Sequence, residues 1–264
     1  MKNEELLLKK KDGTPFLGSV CAVAVRNDKG KIRCFDGIVE DITERKHAEE
    51  KIKASLMEKE VLLREIHHRV KNNLQIISSL LNLQSRHVED EPALDMFRES
   101  RNRVRSMALV HEKLYRSEDL SKVDFCEYIR SLGRHLFMAY GMNSAAIDLD
   151  VDVRDVFLDI NTSIPCGLII NELVSNSLKH AFRGGDRGKI RVVLQPENND
   201  KFKMIVSDNG KGLPKGLDVS QTDSLGLQLV TMLVEQLQGT LNIDRNHGTS
   251  FEVVFKKLDY EMKP

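Results

Sequence analysis

The chain has 264 residues, 41% of them apolar and 30% charged, which supplies core material for more than one folded domain and excludes a disordered chain. Its 40 basic and 40 acidic side chains cancel, so no global field draws it to nucleic acid or to an anionic membrane, and no nucleic-acid partner is expected. The longest apolar runs, such as "CGLII" from Cys166 to Ile170, fall far short of the roughly 20 residues of a membrane helix, and Met1 leads into "KNEELLLKKK" rather than a secretory core, so a cytoplasmic chain without a membrane segment is expected.

Residues 1 to 42 carry two turn signals, "KDGTP" at Lys11 to Pro15 and "NDKG" at Asn27 to Gly30, around the runs "FLGSVCAVAV" and "IRCFDGIV". The pattern predicts antiparallel strands. So short a sheet cannot build a good core by itself, and the segment reads either as a packing appendage or, the favoured reading, as the tail of a larger domain. Asp41, followed three residues later by Glu44, predicts a helix N-cap with a capping-box partner.

Helical periodicity then runs to about His87, a length on the order of 65 Å that no single globular core covers. Leu56, Leu63, Ile66, Val70, Leu74, Ile77 and Leu81 form one seam. "EDEP" at Glu89 to Pro92 breaks the pattern. A second helix follows with Leu94, Phe97, Val104, Met107, His111 and Leu114 at similar spacing. The pair predicts a helical hairpin with one exposed apolar stripe per helix, buried when two hairpins form a four-helix bundle, so a homodimer is expected.

"EIHHRVKNNLQ" sets His67 and His68 side by side in the first helix. On a helical wheel His67 lies about 60° from the seam direction and His68 about 160°, so His67 flanks the core and His68 points to solvent. Glu65 and Asn72, three residues before and four after His68, share its face, and the three side chains are expected to meet.

From about Val123 helices and strands alternate. Helices are predicted near 124–139, 163–182 and 225–237, and strands near 146–152, 189–195, 202–207, 240–244 and 249–256, an α/β sandwich of about 140 residues. In "PCGLIINELVSNSLKHAF" Glu172 and Asn176 form an i, i+4 pair whose face continues to Lys179 and His180. A neutral Asn176 oxygen suits Mg²⁺ bridging phosphates, and Glu172 suits a metal-bound water or a base role. In "VSDNGKGLP" Asp208 ends a β-rich run before Gly210 and Gly212, and a buried carboxylate there can accept a hydrogen bond from an exocyclic amine. In "DSLGLQLVTMLVEQLQG" Gly226 and Leu227 open a helix whose N-terminal amides suit phosphate, and "HGTSFEVVF" places Gly248 and Thr249 at a turn into the last strand. Cys21, Cys34, Cys126 and Cys166 have no metal-ligand spacing and read as unpaired thiols.

Taken in this order, residues 120 to 258 resemble the Bergerat-fold ATP-binding domain of the GHKL superfamily. Asn176 falls in the N box, Asp208, Gly210 and Gly212 in the first glycine box, Gly226 in the second, and Gly248 and Thr249 in the third. Residues 60 to 117, with "HHRVKNNLQ" and "RVRSMALVHEKLY", resemble the dimerisation and phosphoacceptor domain of the histidine kinases allied to the HWE subfamily, and "DGIVEDITERKHAEE" is similar to the exit strand and linker of a PAS sensor domain. The resemblance implies four segments: 1–42, part of a PAS-like domain; 43–59, a coiled-coil linker; 60–119, the dimeric phosphotransfer hairpin; and 120–264, the ATP-binding domain. The expected fold is thus α+β and multidomain: a PAS-like antiparallel sheet, a four-helix bundle and a Bergerat sandwich.

The resemblance also implies the chemistry. The acceptor precedes "RVKN", which selects His68; ATP and Mg²⁺ are the cofactors, with Mg²⁺ on Asn176, and a receiver-domain aspartate of a response regulator is the phosphoryl acceptor. Asn72 sits where related kinases place a residue for the reverse phosphatase reaction. Three departures stand out: Arg69 replaces the usual acidic residue after the acceptor, which leaves Glu65 as substitute base; Ser224 replaces the first glycine of the second box; and Leu213 to Asp223 is short and lacks phenylalanine. A Bergerat-type serine kinase and an ATP-binding coiled-coil adaptor without turnover are the alternatives.

Overall fold

The computed structural model describes residues 4–116, 122–141, 146–153, 156–182, 187–197, 201–213 and 224–256. The chain forms two compact units, residues 1–62 and 63–264.

In the first unit β1 (Glu4–Lys9), β2 (Pro15–Arg26) and β3 (Ile32–Asp41) make an antiparallel sheet in that order. Both predicted turns close it. Asp12 Oδ1 accepts from Thr14 N at 2.9 Å, and Asn27 Oδ1 accepts from the amides of Lys29 and Lys31. Phe35 and Ile38 are exposed on the sheet, so these strands present apolar surface that they do not themselves bury. The start of the next helix differs from the capping box expected. Asp41 Oδ1 accepts from Thr43 N at 3.1 Å and from Thr43 Oγ1 at 2.6 Å, because the hydroxyl two residues on is closer than Glu44. Helix α1 therefore opens at Thr43 and runs to Ser85.

In the second unit the later part of α1 pairs with α2 (Glu91–Arg116). Asp90 Oδ2 caps α2 through Ala93 N at 2.9 Å, and Arg101 on α2 donates to Asn82 on α1 at 2.6 Å. Of the predicted α1 seam, Leu56, Leu63, Ile66 and Ile77 are exposed and Val70, Leu74 and Leu81 half-buried, with Leu80 and Leu83 adding to the exposed apolar surface. The expected exposed stripe is absent from α2. Leu109, Val110 and Leu114 are buried in the core of the α/β region instead, since α2 also packs against α3 (Phe125–Ala139) and α4 (Ile160–Asn176).

The α/β region carries a short pair, β4 (Val123–Asp124) with β6 (Phe157–Leu158), and a five-stranded sheet. The sheet contains β5 (Ile147–Val153), β7 (Gly188–Pro196), β8 (Lys201–Asp208), β9 (Thr240–Asp244) and β10 (Thr249–Lys256), in the order β5-β7-β8-β10-β9. Only β5 and β7 run parallel. Helices α3, α4 and α5 (Leu225–Gln236) pack against it. Alternation sets the core: Met204 and Val206 of β8 and Phe251, Val253 and Phe255 of β10 are buried. Asp208 continues the inward phase of β8, which puts a carboxylate on the core face of the sheet. The predicted 163–182 helix is two pieces, α4 capped by Asp159 through Thr162 N at 3.0 Å, and a π-helical turn at Ser177–Ala181.

Candidate functional site

The two histidines separate as the wheel requires. Among the described residues of α1 His67 alone is buried, and His68 is exposed. His67 Nδ1 lies 3.2 Å from His111 Nδ1 of α2, and burial lowers the pKa of both; His111 falls from 6.5 to about 4, with His67 adding to the effect. The His68 ring stands 5.6 Å from the Tyr115 ring, and its Nδ1 is 3.5 Å from Asn72 Nδ2. The expected third member, Glu65, makes no described hydrogen bond to His68. Glu65 accepts from Arg69 Nε at 2.7 Å, and this hydrogen bond holds its carboxyl below the usual range, with His68 adding to the lowering. A guanidinium one turn along the same face outcompetes an imidazole for the carboxylate, so the residue that replaces the usual base also occupies its substitute.

A cavity of about 580 Å³ lies between α4, its π-helical turn, the ends of β8 and β10, and the start of α5. Of the expected residues, Asn176, His180, Asp208, Gly212, Leu227 and Thr249 line it. Asp208 is 8% exposed; its Oδ2 accepts from Ser177 Oγ at 2.8 Å and its Oδ1 from Gly210 N at 3.0 Å. The π-helical turn, a feature frequent at functional sites, carries Ser177 to that carboxylate. Backbone packs tightly below: a Cβ on Gly210 would meet the Ala181 carbonyl oxygen at 2.3 Å, while Lys211 N donates to that oxygen at 2.9 Å. His180 has its pKa lowered by burial and by the neighbouring Lys179 and Lys211 charges.

Lys179 and Glu172 do not line the cavity and are both engaged by α2. Lys179 Nζ donates to Glu99 of α2 at 2.7 Å, away from the cavity lining. Both oxygens of Glu172 are taken by Arg103 of α2, from Nε at 2.9 Å and Nη2 at 2.7 Å, and Asn171 Nδ2 adds a bond of 2.9 Å. Gly226 abuts the same carboxylate, since a Cβ there would lie 2.8 Å from Glu172 Oε2. Sequence reasoning missed Arg103 and Ser177: each is joined to its partner across a long stretch of chain, and only the positions of Asn176 and Asp208 pointed nearby. The stretch Leu213 to Asp223, read as a short lid, lies outside the described residues beyond Leu213.

A small cavity with a buried carboxylate at one end, glycines that bring backbone to its floor, and a separate helix bearing an exposed histidine is a two-part arrangement, and the comparisons divide the chain in the same way. Residues 65–140 match the family described as histidine kinase, and residues 161–259 match the histidine kinase-, DNA gyrase B- and HSP90-like ATPases. The chain carries both domains of a histidine kinase. It is 32% identical over 224 residues to the sensor histidine kinase PdtaS of Mycolicibacterium smegmatis, covering 83% of this chain and 43% of that protein. It is 26% identical over 239 residues to the blue-light-activated histidine kinase 2 of Erythrobacter litoralis, covering 89% of this chain and 66% of that one. The chain thus spans less than half the length of the first relative. The solved histidine kinase domain of an Erythrobacter litoralis blue-light activated histidine kinase shares the fold with a TM-score of 0.57, at 24% identity, over 74% of this chain and 90% of that one. ATP binding follows from the ATPase family. The buried acceptor at Asp208 and the backbone-lined floor fit an adenine amine and a phosphate chain, and no described helix is long and apolar enough to cross a membrane.

Proposed function

We propose that this histidine kinase phosphorylates itself on His68 with ATP and passes the phosphoryl group to an aspartate of a response-regulator receiver domain. The observation that carries the reading is His68 itself, exposed on α1 and held between Asn72 and the Tyr115 ring while its neighbour His67 is buried against His111. An imidazole with a free ring nitrogen needs positioning more than activation, so the lost carboxylate at Glu65 leaves the nucleophile intact. The His68 nitrogen lone pair forms the N–P bond as the bond from the γ-phosphorus to the bridging oxygen breaks, and ADP leaves with that electron pair. Asp208 and Ser177 would orient the base, and Asn176 would hold a Mg²⁺ whose charge would offset that of the phosphates.

No described hydrogen bond or ring contact joins His68 to the cavity, so transfer calls for movement of the hairpin against the ATP domain of the same chain or for the ATP domain of a dimer partner. The exposed α1 stripe supports a homodimer formed through the hairpin. Incubation with Mg²⁺ and γ-labelled ATP tests the assignment. Wild type and His67→Ala are expected to carry an acid-labile, base-stable label that His68→Ala lacks. A label retained in His68→Ala but lost in His67→Ala would reverse the assignment, and a base-labile, acid-stable label would point to serine phosphorylation.

A further inference from the structure

Helix α2 is fastened to α4 by two ion pairs of opposite direction. Arg103 grips both oxygens of Glu172, with side chains only 14% and 5% exposed, and one turn earlier Glu99 accepts from Lys179 at 2.7 Å. The elements that meet here also bury polar atoms without partners: Asn102 Nδ2 on α2, Asn171 Oδ1 and Ser175 Oγ on α4, and the hydroxyl of Tyr140 beside Lys179. Each such atom is desolvated without a compensating hydrogen bond. Buried ion pairs repay little of their own desolvation. The contact is therefore polar over the first half of α2, around Glu99 to Arg103, while Leu109, Val110 and Leu114 anchor its second half in the core, so only the first half is readily separable.

Arg103 also stands where the nucleotide's metal end belongs. A Cβ built on Gly226 would lie 2.8 Å from Glu172 Oε2, 3.9 Å from Arg103 Nη2 and 3.9 Å from Asn176 Nδ2, so guanidinium, carboxylate, amide and the opening of α5 converge on one point.

We propose that Arg103 is an intramolecular competitor of the metal–nucleotide complex: docking of α2 and use of Glu172 at the Mg²⁺ end of the site exclude one another. This rests on the ATP–Mg²⁺ reading above. A carboxylate held bidentately by Arg103 is neutralised and has its oxygens turned from any metal-bound water. A fixed cation close to Asn176 also repels a divalent ion while attracting phosphate. The penalty therefore falls on the nucleotide with its metal, not on the nucleotide alone. By reciprocity, whatever α2 costs Mg²⁺-nucleotide binding, Mg²⁺-nucleotide costs α2 docking.

Calorimetric titration of the full chain with ADP, in Mg²⁺ and in EDTA, compares wild type with Arg103→Met and Glu99→Gln. The second variant removes the Lys179 pair and the 3.6 Å contact of Glu99 with Arg103, and leaves the Arg103–Glu172 pair itself in place. Mg²⁺-ADP is expected to bind at least about fivefold more tightly to both variants, with metal-free ADP changed far less, and in wild type to speed amide exchange across residues 99–106. Unchanged or weaker Mg²⁺-ADP binding in Glu99→Gln, an equal gain with and without metal, or slower exchange in α2 would overturn the proposal. Should Arg103→Met fail to fold, Glu99→Gln and the wild-type exchange decide. Wild type that binds ADP under neither condition would instead remove the ATP-site reading beneath it.

Discussion

His67 meets His111 across the hairpin, Nδ1 to Nδ1 at 3.2 Å, with ring centroids 5.4 Å apart. Only one proton fits between two such nitrogens, so one ring donates and the other accepts, and burial favours the neutral form of both. Burial lowers both pKa values, that of His111 from 6.5 to about 4. In the unfolded chain both histidines take up protons near the ordinary value, so the stability this pair contributes is complete above about pH 6.5 and is lost as pH falls toward about 4. Between pH 6.5 and 5, above the range of most carboxylates, the thermal unfolding midpoint of wild type is expected to fall. His111→Leu, which removes the group held at about 4, should show a shallower fall. Parallel pH profiles for the two proteins would contradict a role for the pair.

The bond from Asn72 to His68 Nδ1, at 3.5 Å, decides which ring nitrogen carries the lone pair. With its amide nitrogen on Nδ1 the proton belongs to Nε2; with its amide oxygen there, a 180° rotation, the proton moves to Nδ1 and Nε2 is free to attack. Asn72→Ala is expected to slow autophosphorylation about fivefold, the worth of roughly one hydrogen bond, with Mg²⁺-ADP affinity unchanged. Asn72→Asp, an acceptor only, should restore most of the rate. If Asp is no better than Ala, tautomer selection is wrong. If Asn72 also serves the reverse reaction, Asn72→Ala slows dephosphorylation of the regulator.

Much of this architecture was legible because it is local. The predicted 240–244 and 249–256 strands coincide with β9 and β10, since alternation and a glycine turn define them, and the wheel placed His67 inward and His68 outward from spacing alone. What was illegible is long-range. Periodicity gives α2 an apolar face but not its partner, so the burial of Leu109, Val110 and Leu114 in the α/β core was not foreseen. The π-helical turn at Ser177–Ala181 looks in sequence like more α-helix, and the hydrogen bond from Arg69 to Glu65 escapes a reading that takes Arg69 only as the residue replacing a base.

Asp208 is the polar anchor of the cavity, accepting from Ser177 Oγ at 2.8 Å and Gly210 N at 3.0 Å. Asp208→Asn keeps the volume but puts a donor where an adenine amine donates. Loss of one hydrogen bond to a charged group, about 1.5–3 kcal/mol, predicts a roughly 10- to 150-fold weaker binding of ADP. GDP, whose six-position is an acceptor, should lose less. Equal losses for the two nucleotides would show that Asp208 holds the loop and does not touch the base.

Gly248 and Gly141 share a backbone region and differ in what surrounds them. Their φ angles are +93° and +61°. A Cβ on Gly141 would meet nothing within 4 Å, whereas one on Gly248 would lie 2.0 Å from the Asp208 carbonyl oxygen, across the register in which Thr249 faces Asp208. Gly141→Ala is therefore expected to cost only the left-handed penalty, about 1 kcal/mol. Gly248→Ala adds a clash with backbone that cannot rotate away, so β10 must shift from β8 and carry Thr249 with it. Urea unfolding should show a loss at least twice that of Gly141→Ala, and ADP affinity should fall only in Gly248→Ala. Equal destabilisation of the two variants would mean that the strand ends yield freely and that the third glycine box does not fix the cavity floor.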